Sequence, residues 1–383
     1  MVISVEADVK GLRGRHKERE IDTLFRALVK HEGSDLHLKV GVQPYVRVAG
    51  TLRPLHREPI DDDKMNRLIL PMMDERNRKI FDESGGTDFA YSLDVDGKTW
   101  RFRVNVLHQM GHVGLVARRV NNWIPGFDQL CLPPVLEDLC TNSQGMILLA
   151  GITGSGKTTT IASMLNWINH HCRKHILTLE DPIEFKFIDD KSLINQREIG
   201  LDVKDFTIGM KQAVREDPDV MLVGEMRDRE TFETAIQAAE TGHLVFGTIH
   251  ASTAPSTIAR ILDLFPEPMH GQIRSALAFN MKAIIAQKLL PSIKEGVQRV
   301  PTVEIMMFTP MVRKLIMEGQ EQKLGDAIRI GADEGMQNFT MSLKDLVTRQ
   351  LIDRRTAFEW APNPEALKMT LKGIELKETG MIR

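Results

Sequence analysis

The stretch that decides the fold reads Met146-Ile147-Leu148-Leu149-Ala150-Gly151-Ile152-Thr153-Gly154-Ser155-Gly156-Lys157-Thr158, followed by TTIASMLNWI over residues 159–168. An apolar run, a glycine-rich loop and a helical segment stand in the order that the pattern GxxxxGK[ST] requires. Glycines let backbone N–H groups curl around phosphate oxygens without Cβ clashes, and the following helix adds the positive end of its dipole. Lys157 then reaches the β and γ phosphates, and Thr158 holds Mg²⁺. The candidate phosphate contacts are Gly151, Ile152, Thr153, Gly154, Ser155, Gly156, Lys157, Thr158 and Thr159, and the expected ligand is a nucleoside triphosphate.

Outward from this loop, further apolar runs at residues 176–179, 220–223 and 244–249 alternate with helical segments near 206–215 and 230–240. Strands that are apolar throughout and separated by helices predict a parallel sheet covered on both faces, an α/β domain. Ligands of such sheets bind at the C-terminal edge of the strands. Glu225 emerges there after the run 220–223, near the metal or the attacking water. Glu180-Asp181-Pro182-Ile183-Glu184 follows the run 176–179 at the same edge. Two acidic groups suggest one carboxylate for metal and another to orient or deprotonate water, and the residues alone do not divide the roles. His250 closes the run 244–249 at that edge, and His243 precedes the run. Beyond Pro268 the chain reads as mostly helical, with residues 303–308 as the further strand.

The length of 383 residues suggests two domains, and 42% apolar with 27% charged residues lies in the globular range. A formal net charge of −2 gives no bulk attraction to nucleic acid or anionic lipid. Cys131, Cys140 and Cys172 form no CxxC pair, and His170, His171, Cys172 and His175 lack regular ligand spacing, so neither disulfides nor zinc is expected. No run approaches 18 apolar residues, and a cytoplasmic protein without a transmembrane segment is expected. Basic residues between Lys10 and Arg19 read as part of a flexible leader, residues 1–19.

Residues 20–120 read as a small α+β domain with an antiparallel sheet: helical spacing at 20–31 and 61–73, and β-rich runs at 36–40, 45–48, 89–95, 100–107 and 113–120. Asn122, Pro125, Gly126, Pro133 and Pro134 mark a linker over 121–134, with the α/β domain and its helical C-terminal extension over 135–383. Arg101, Arg103, Arg118 and Arg119, late in the first domain, have the character of solvated cations, since an arginine finger needs a neighbouring subunit.

With those residues assembled, the chain resembles the type IV pilus retraction ATPases of the PilT/PilU kind, within the GspE-like type II/IV secretion ATPase superfamily. The resemblance runs from Gly33-Ser34-Asp35-Leu36-His37-Leu38 through Arg101-Phe102-Arg103-Val104-Asn105 and the Walker A loop. It continues through ILTLEDPIEF (176–185), similar to the family's Asp box, AVREDPDVMLVGEMRDRET (213–231), similar to its Walker B region, and AAETGHLVFGTIHA (238–251), similar to its His box.

The resemblance implies a PAS-like N-terminal domain and a RecA-like P-loop domain that hydrolyses ATP with Mg²⁺. It implies that Glu184 is the catalytic glutamate, Glu225 the Walker B glutamate and metal contact with Thr158, and His250 with His243 the His-box contacts. Arg103 and Arg118 become the arginines that reach nucleotide. It also implies a homo-hexamer, peripheral at the inner membrane through a pilus platform protein, with a second retraction ATPase as a further partner and no nucleic acid. The retraction branch fits best, because extension and secretion ATPases carry a longer N-terminal region and a tetracysteine motif. Residues 309–316 resemble the retraction motif AIRNLI, departing from it at Met311, Val312 and Lys314. Residues 358–371 look more like PilU, and REDPDVMLVGEMRD looks more like PilT. The alternatives are a pilus-extension or type II secretion ATPase, a hydrolysis-poor ring partner, and a nucleic-acid translocase sharing the same core. The absence of an aromatic-rich basic channel speaks against the last.

Overall fold

The computed structural model describes residues 19–373 except 49, 56, 57, 121 and 122, so the expected leader lies outside the described residues apart from Arg19. The chain divides into two compact units, residues 1–121 and 122–383.

In the first unit α1 (Asp22–Lys30), β1 (Asp35–Leu38), β2 (Tyr45–Val48), β3 (Thr51–Pro54), α2 (Asp62–Ile69), α3 (Glu75–Ser84), β4 (Gly86–Val95), β5 (Lys98–Gln109) and β6 (His112–Arg119) follow in order. The strands form an antiparallel sheet in the order β3-β2-β1-β6-β5-β4. Alternate residues Phe102, Val104 and Val106 of β5, with Leu115 and Ala117 of β6, bury one face against Phe25, Leu28, Met65 and Phe81 of the helices. Each large apolar side chain so buried contributes about 1.5–3 kcal/mol. Arg103 and Arg118 fall on the opposite, exposed face, directly paired across β5 and β6.

Two elements of this unit are not visible in the hydrophobic pattern. Helix α3 buries only Phe81 and so lacks an apolar stripe; Asp74, which accepts from the Asn77 N–H, starts it, and left-handed Gly85 stops it. Strand β3 is an exposed edge strand ending in proline.

The second unit contains α4 (Val135–Cys140), β7 (Gly145–Ala150), α5 (Lys157–His171), β8 (His175–Glu180), β9 (Leu193–Glu198), α6 (Phe206–Ala213), β10 (Val220–Val223), α7 (Arg229–Glu240), β11 (Leu244–Ile249) and α8 (Ala254–Leu262). These lead into α9 (His270–Asn280), β12 (Met281–Pro291), β13 (Arg299–Met307), α10 (Pro310–Met317), α11 (Leu324–Ile330), α12 (Phe339–Thr348), α13 (Arg354–Trp360) and α14 (Pro364–Leu371). The sheet order is β13-β12-β7-β11-β10-β8-β9, parallel throughout except for the antiparallel pair β12 and β13. Core clusters lie on both of its faces, one around Met146, Leu148, Phe232 and Ile258, the other around Ile147, Leu149, Ile161 and Leu165.

Three expectations change here. Residues 281–290 form a strand, not a helix: β12 is buried on both faces, which erases the alternation that distinguishes a strand from a buried helix. Strand β9 also escapes the reading, because Leu193 and Asn195 are exposed, Ile194, Gln196 and Arg197 are only half-buried, and its one buried residue, Glu198, is charged. Within the expected linker 121–134, Phe127 and Leu132 are buried in the core of the second unit, so the part of it around these two residues belongs to that unit.

Candidate nucleotide-hydrolysis site

Because β7, β11, β10 and β8 are parallel neighbours, everything that follows their last residues gathers along one edge of the sheet. Residues 151–158 leave β7, His250 leaves β11, Gly224 and Glu225 leave β10, and the segment to Glu184 leaves β8.

The loop makes its turns at Gly151, φ +154°, and Gly156, φ +88°, both in the left-handed range that favours glycine. Gly156 caps the N-terminus of α5. Lys157 is 8% exposed, and its Nζ donates to the carbonyls of Gly151 at 2.7 Å and Ile152 at 3.1 Å. Burial lowers the Lys157 pKa, while the charges of Glu225 and Glu184 act in the opposite direction. The lysine therefore lies within electrostatic reach of both carboxylates. Thr158 and Thr159 are partly exposed on the first turn of α5, and Ile152, Thr153 and Gly154 are exposed at the tip of the loop. Ser155 is buried, and its Oγ has no hydrogen-bond partner among the described residues.

Glu225 is flanked by two donors. Arg227 bonds one carboxylate oxygen, and His250 Nε2 lies 3.1 Å from the other. Burial pushes the Glu225 carboxyl upward, but the Arg227 bond and the charges of Arg227, His250 and Lys157 outweigh it and hold the group below the ordinary glutamate range. Thr248 fixes the strand end beneath them, its Oγ1 donating to the Gly224 carbonyl at 2.6 Å.

The acidic segment after β8 is strapped by β9. Gln196 donates to the Phe185 carbonyl at 2.8 Å and accepts from the Phe187 N–H at 3.0 Å. Ile183 and Phe185 are buried on either side of Glu184, which leaves the Glu184 carboxylate exposed. Glu180, 5% exposed, instead accepts from Thr178 and Gln196, and burial raises its pKa to about 7.

Two of the candidate groups are not brought to this edge within the unit. His243 precedes β11, at the opposite end of the strand from His250, about 20 Å away at the rise of an extended chain. Its Nδ1 pairs with the Ala238 carbonyl at 2.8 Å at the end of α7, so within this unit His243 does not reach the loop at 151–158. Arg103 and Arg118 belong to the first unit, where Arg118 Nε donates to Asp35 at 2.7 Å and Arg103 lies 3.6 Å from Asp88.

Gln287, in contrast, is a site residue that the sequence reading misses. It stands on β12 beside the loop, 2% exposed, with its carboxamide bonded to both Thr160 and Ser155. The available signal is a single amide in the middle of the apolar run AIIAQKLL.

Comparison with known proteins agrees with this geometry. The sequence profile of the family described as type II/IV secretion system protein matches residues 14–330. The chain is 41% identical to the type IV pilus retraction ATPase PilT of Pseudomonas aeruginosa, over 90% of this chain and 99% of that one. It is 35% identical to the type IV pilus ATPase PilU of the same organism, over 92% and 91% of the two chains. The crystal structure of the pilus retraction motor PilT with bound ADP superposes with a TM-score of 0.83 at 41% identity, covering 92% of this chain and 99% of that one. Among the described residues no helix is long and apolar enough to cross a membrane. On the loop at 151–158, the carboxylates beside it and these relatives together, the chain belongs to the type II/IV secretion system protein family and, within it, to the PilT/PilU group of type IV pilus ATPases.

Proposed function

We propose that this protein is a ring-forming motor that hydrolyses ATP to retract a type IV pilus. The observation that carries the reading is the convergence of Lys157, Glu184, Glu225 and His250 at one sheet edge, with Lys157 inside the field of both carboxylates.

In this reading the phosphates take the place of the loop carbonyls that Lys157 now bonds. Thr158 and Glu225 are the residues that would hold Mg²⁺; a hydroxyl and an ionised carboxylate are the hard oxygen donors that this ion prefers, so the residues fit the group. The metal supplies charge neutralisation at the phosphates. Glu184, exposed between two buried neighbours, orients or deprotonates the attacking water, and His250 donates toward the transferred phosphoryl group. Arg103 and Arg118 approach the nucleotide of an adjacent subunit in a homo-hexamer, which accounts for their place on an exposed sheet face of the other unit.

We read the first unit as PAS-like and the second as RecA-like with a helical C-terminal extension. Turnover changes the angle between the two, and the ring passes that motion to a platform protein at the inner membrane and so to the pilin filament. A second retraction ATPase is a further partner. The experiment is deletion of the gene with pilus length and twitching scored, alongside Mg²⁺-ATP hydrolysis by the purified protein. Long pili with lost motility and a measurable turnover support the reading. Bald cells assign the chain to extension instead, and absent turnover removes the motor reading.

A further inference from the structure

Two of the three glycines of the phosphate loop, Gly151 and Gly156, are set against one residue that lies more than 130 positions further along the chain. A Cβ on Gly151 would stand 2.6 Å from the backbone oxygen of Gln287, and a Cβ on Gly156 would stand 2.7 Å from its Nε2. Gln287 reaches this place because β12 runs parallel to β7 with Ala286 opposite Ala150, so the next residue of β12 lies alongside the first residue of the loop. From there its buried carboxamide spans the loop. Nε2 donates to the Ser155 carbonyl at 2.7 Å, and Oε1 accepts from Thr160 Oγ1 at 2.8 Å on the first turns of α5.

The bond to Ser155 has a consequence at the next atom. A trans peptide unit is planar, with its C=O and N–H on opposite sides of the chain. Holding the Ser155 carbonyl against Gln287 therefore turns the Gly156 N–H to the opposite side, away from β12. An inward row of N–H groups is what binds phosphate in such a loop. Left-handed Gly156 adopts either orientation of that peptide at little cost, so the loop's own sequence does not choose between them. The Thr160 hydroxyl donates to Oε1, so both ends of the Gln287 carboxamide are bonded while its NH₂ faces the Ser155 carbonyl.

We infer that Gln287 is the positioning residue of the phosphate loop, orienting the Ser155–Gly156 peptide so that the site is formed before nucleotide arrives. The inference rests on the nucleotide reading of that loop. Its partner in function is the diphosphate portion of a nucleoside di- or triphosphate, not the base.

The test compares the full-length wild type with Gln287→Glu and Thr160→Val at pH 8, reading fluorescent ADP affinity and thermal melting. Gln287→Glu keeps the acceptor for Thr160 but opposes an anionic oxygen to the Ser155 carbonyl, which drives the peptide to the other orientation. Loss of one N–H bond to a charged phosphate corresponds to affinity weakened about tenfold or more. Thr160→Val, which preserves shape, leaves buried Oε1 without its donor and loosens the carboxamide against Ser155, and is expected to weaken ADP binding by a smaller factor, about threefold, within the range of one neutral hydrogen bond. A purely structural role would lower the melting temperature and leave the affinity of the folded protein unchanged. ADP affinity within twofold of wild type in both variants overturns the inference, and Thr160→Val alone decides if Gln287→Glu does not fold. Failure of the wild type itself to bind ADP would instead overturn the nucleotide reading.

Discussion

His250 Nε2 lies 3.1 Å from Glu225 Oε1, joining the residue just after β11 to the carboxylate that follows β10. The pair spans the ends of two adjacent parallel strands, β10 and β11. A carboxylate that is fixed on one oxygen by Arg227 and on the other by His250 has little orientational freedom left to lose when substrate binds.

Replacing Glu225 by Gln or Ala is therefore expected to lower kcat for Mg²⁺-ATP by about 10²–10³-fold, the range for removing one preorganised electrostatic group. ADP affinity measured without Mg²⁺ should change little. A variant that retained wild-type kcat would show that Glu225 takes no part in turnover.

Lys157→Ala acts earlier. It removes the cation that bonds the Gly151 and Ile152 carbonyls and that the proposed function assigns to the phosphates, so nucleotide binding itself is expected to weaken, by about tenfold or more for a lost charge-assisted bond of about 1.5–3 kcal/mol. Equilibrium titration with fluorescent ADP checks this. Undiminished binding and hydrolysis would place the nucleotide elsewhere.

Glu180 makes stability depend on pH. Its carboxyl titrates near 7 in the folded chain against an ordinary value of 4.5, so between those values the native state binds more protons than the unfolded state. Stability from this group is accordingly lost as pH rises from about 4.5 to 7, by at most on the order of 3 kcal/mol. Glu180→Gln should flatten this segment of the profile and melt above wild type at pH 8. Parallel profiles for the two proteins from pH 5 to 8 would contradict the assignment.

Gly156→Ala is expected to disable the loop without unfolding the unit. Alanine at φ +88° costs about 1–3 kcal/mol, and the new methyl would press on Gln287 Nε2. Hydrolysis should fall to background while circular dichroism stays that of the wild type.

Arg118 distinguishes a structural pair from a shared site. Its bond to buried Asp35 is exposed on the arginine side and contributes about 1 kcal/mol or less to stability. The larger expected effect of Arg118→Ala is on turnover, down about tenfold or more. Mixing Arg118→Ala with Lys157→Ala subunits should then restore part of the activity, since sites built from one subunit's loop and its neighbour's arginine would again be complete. No recovery on mixing would confine Arg118 to its own unit.

Much of this site is legible in the linear sequence. The spacing of Gly151, Gly156 and Lys157 carries its own mechanism, because a phosphate loop is a local structure whose strand, turn and helix are contiguous. Glu225 and His250 are legible for a related reason: each lies within two residues of the end of a strongly apolar run, and in a parallel sheet the residues after such runs share an edge. His243 is the counterexample, one of two histidines seven residues apart that a six-residue strand sends to opposite edges.

An α/β phosphate-loop core that follows a smaller α+β unit along the chain is readable from the amino-acid order alone. Strand order and packing make Met281–Pro291 a strand beside β7, bury Phe127 and Leu132 in the second core, and set Gln287 against Gly151 and Gly156. The reason is physical. Hydrophobic period identifies an element only when one of its faces meets water, and β12 has no such face. A side chain's partner more than 100 residues away is selected by strand order, which no local pattern encodes.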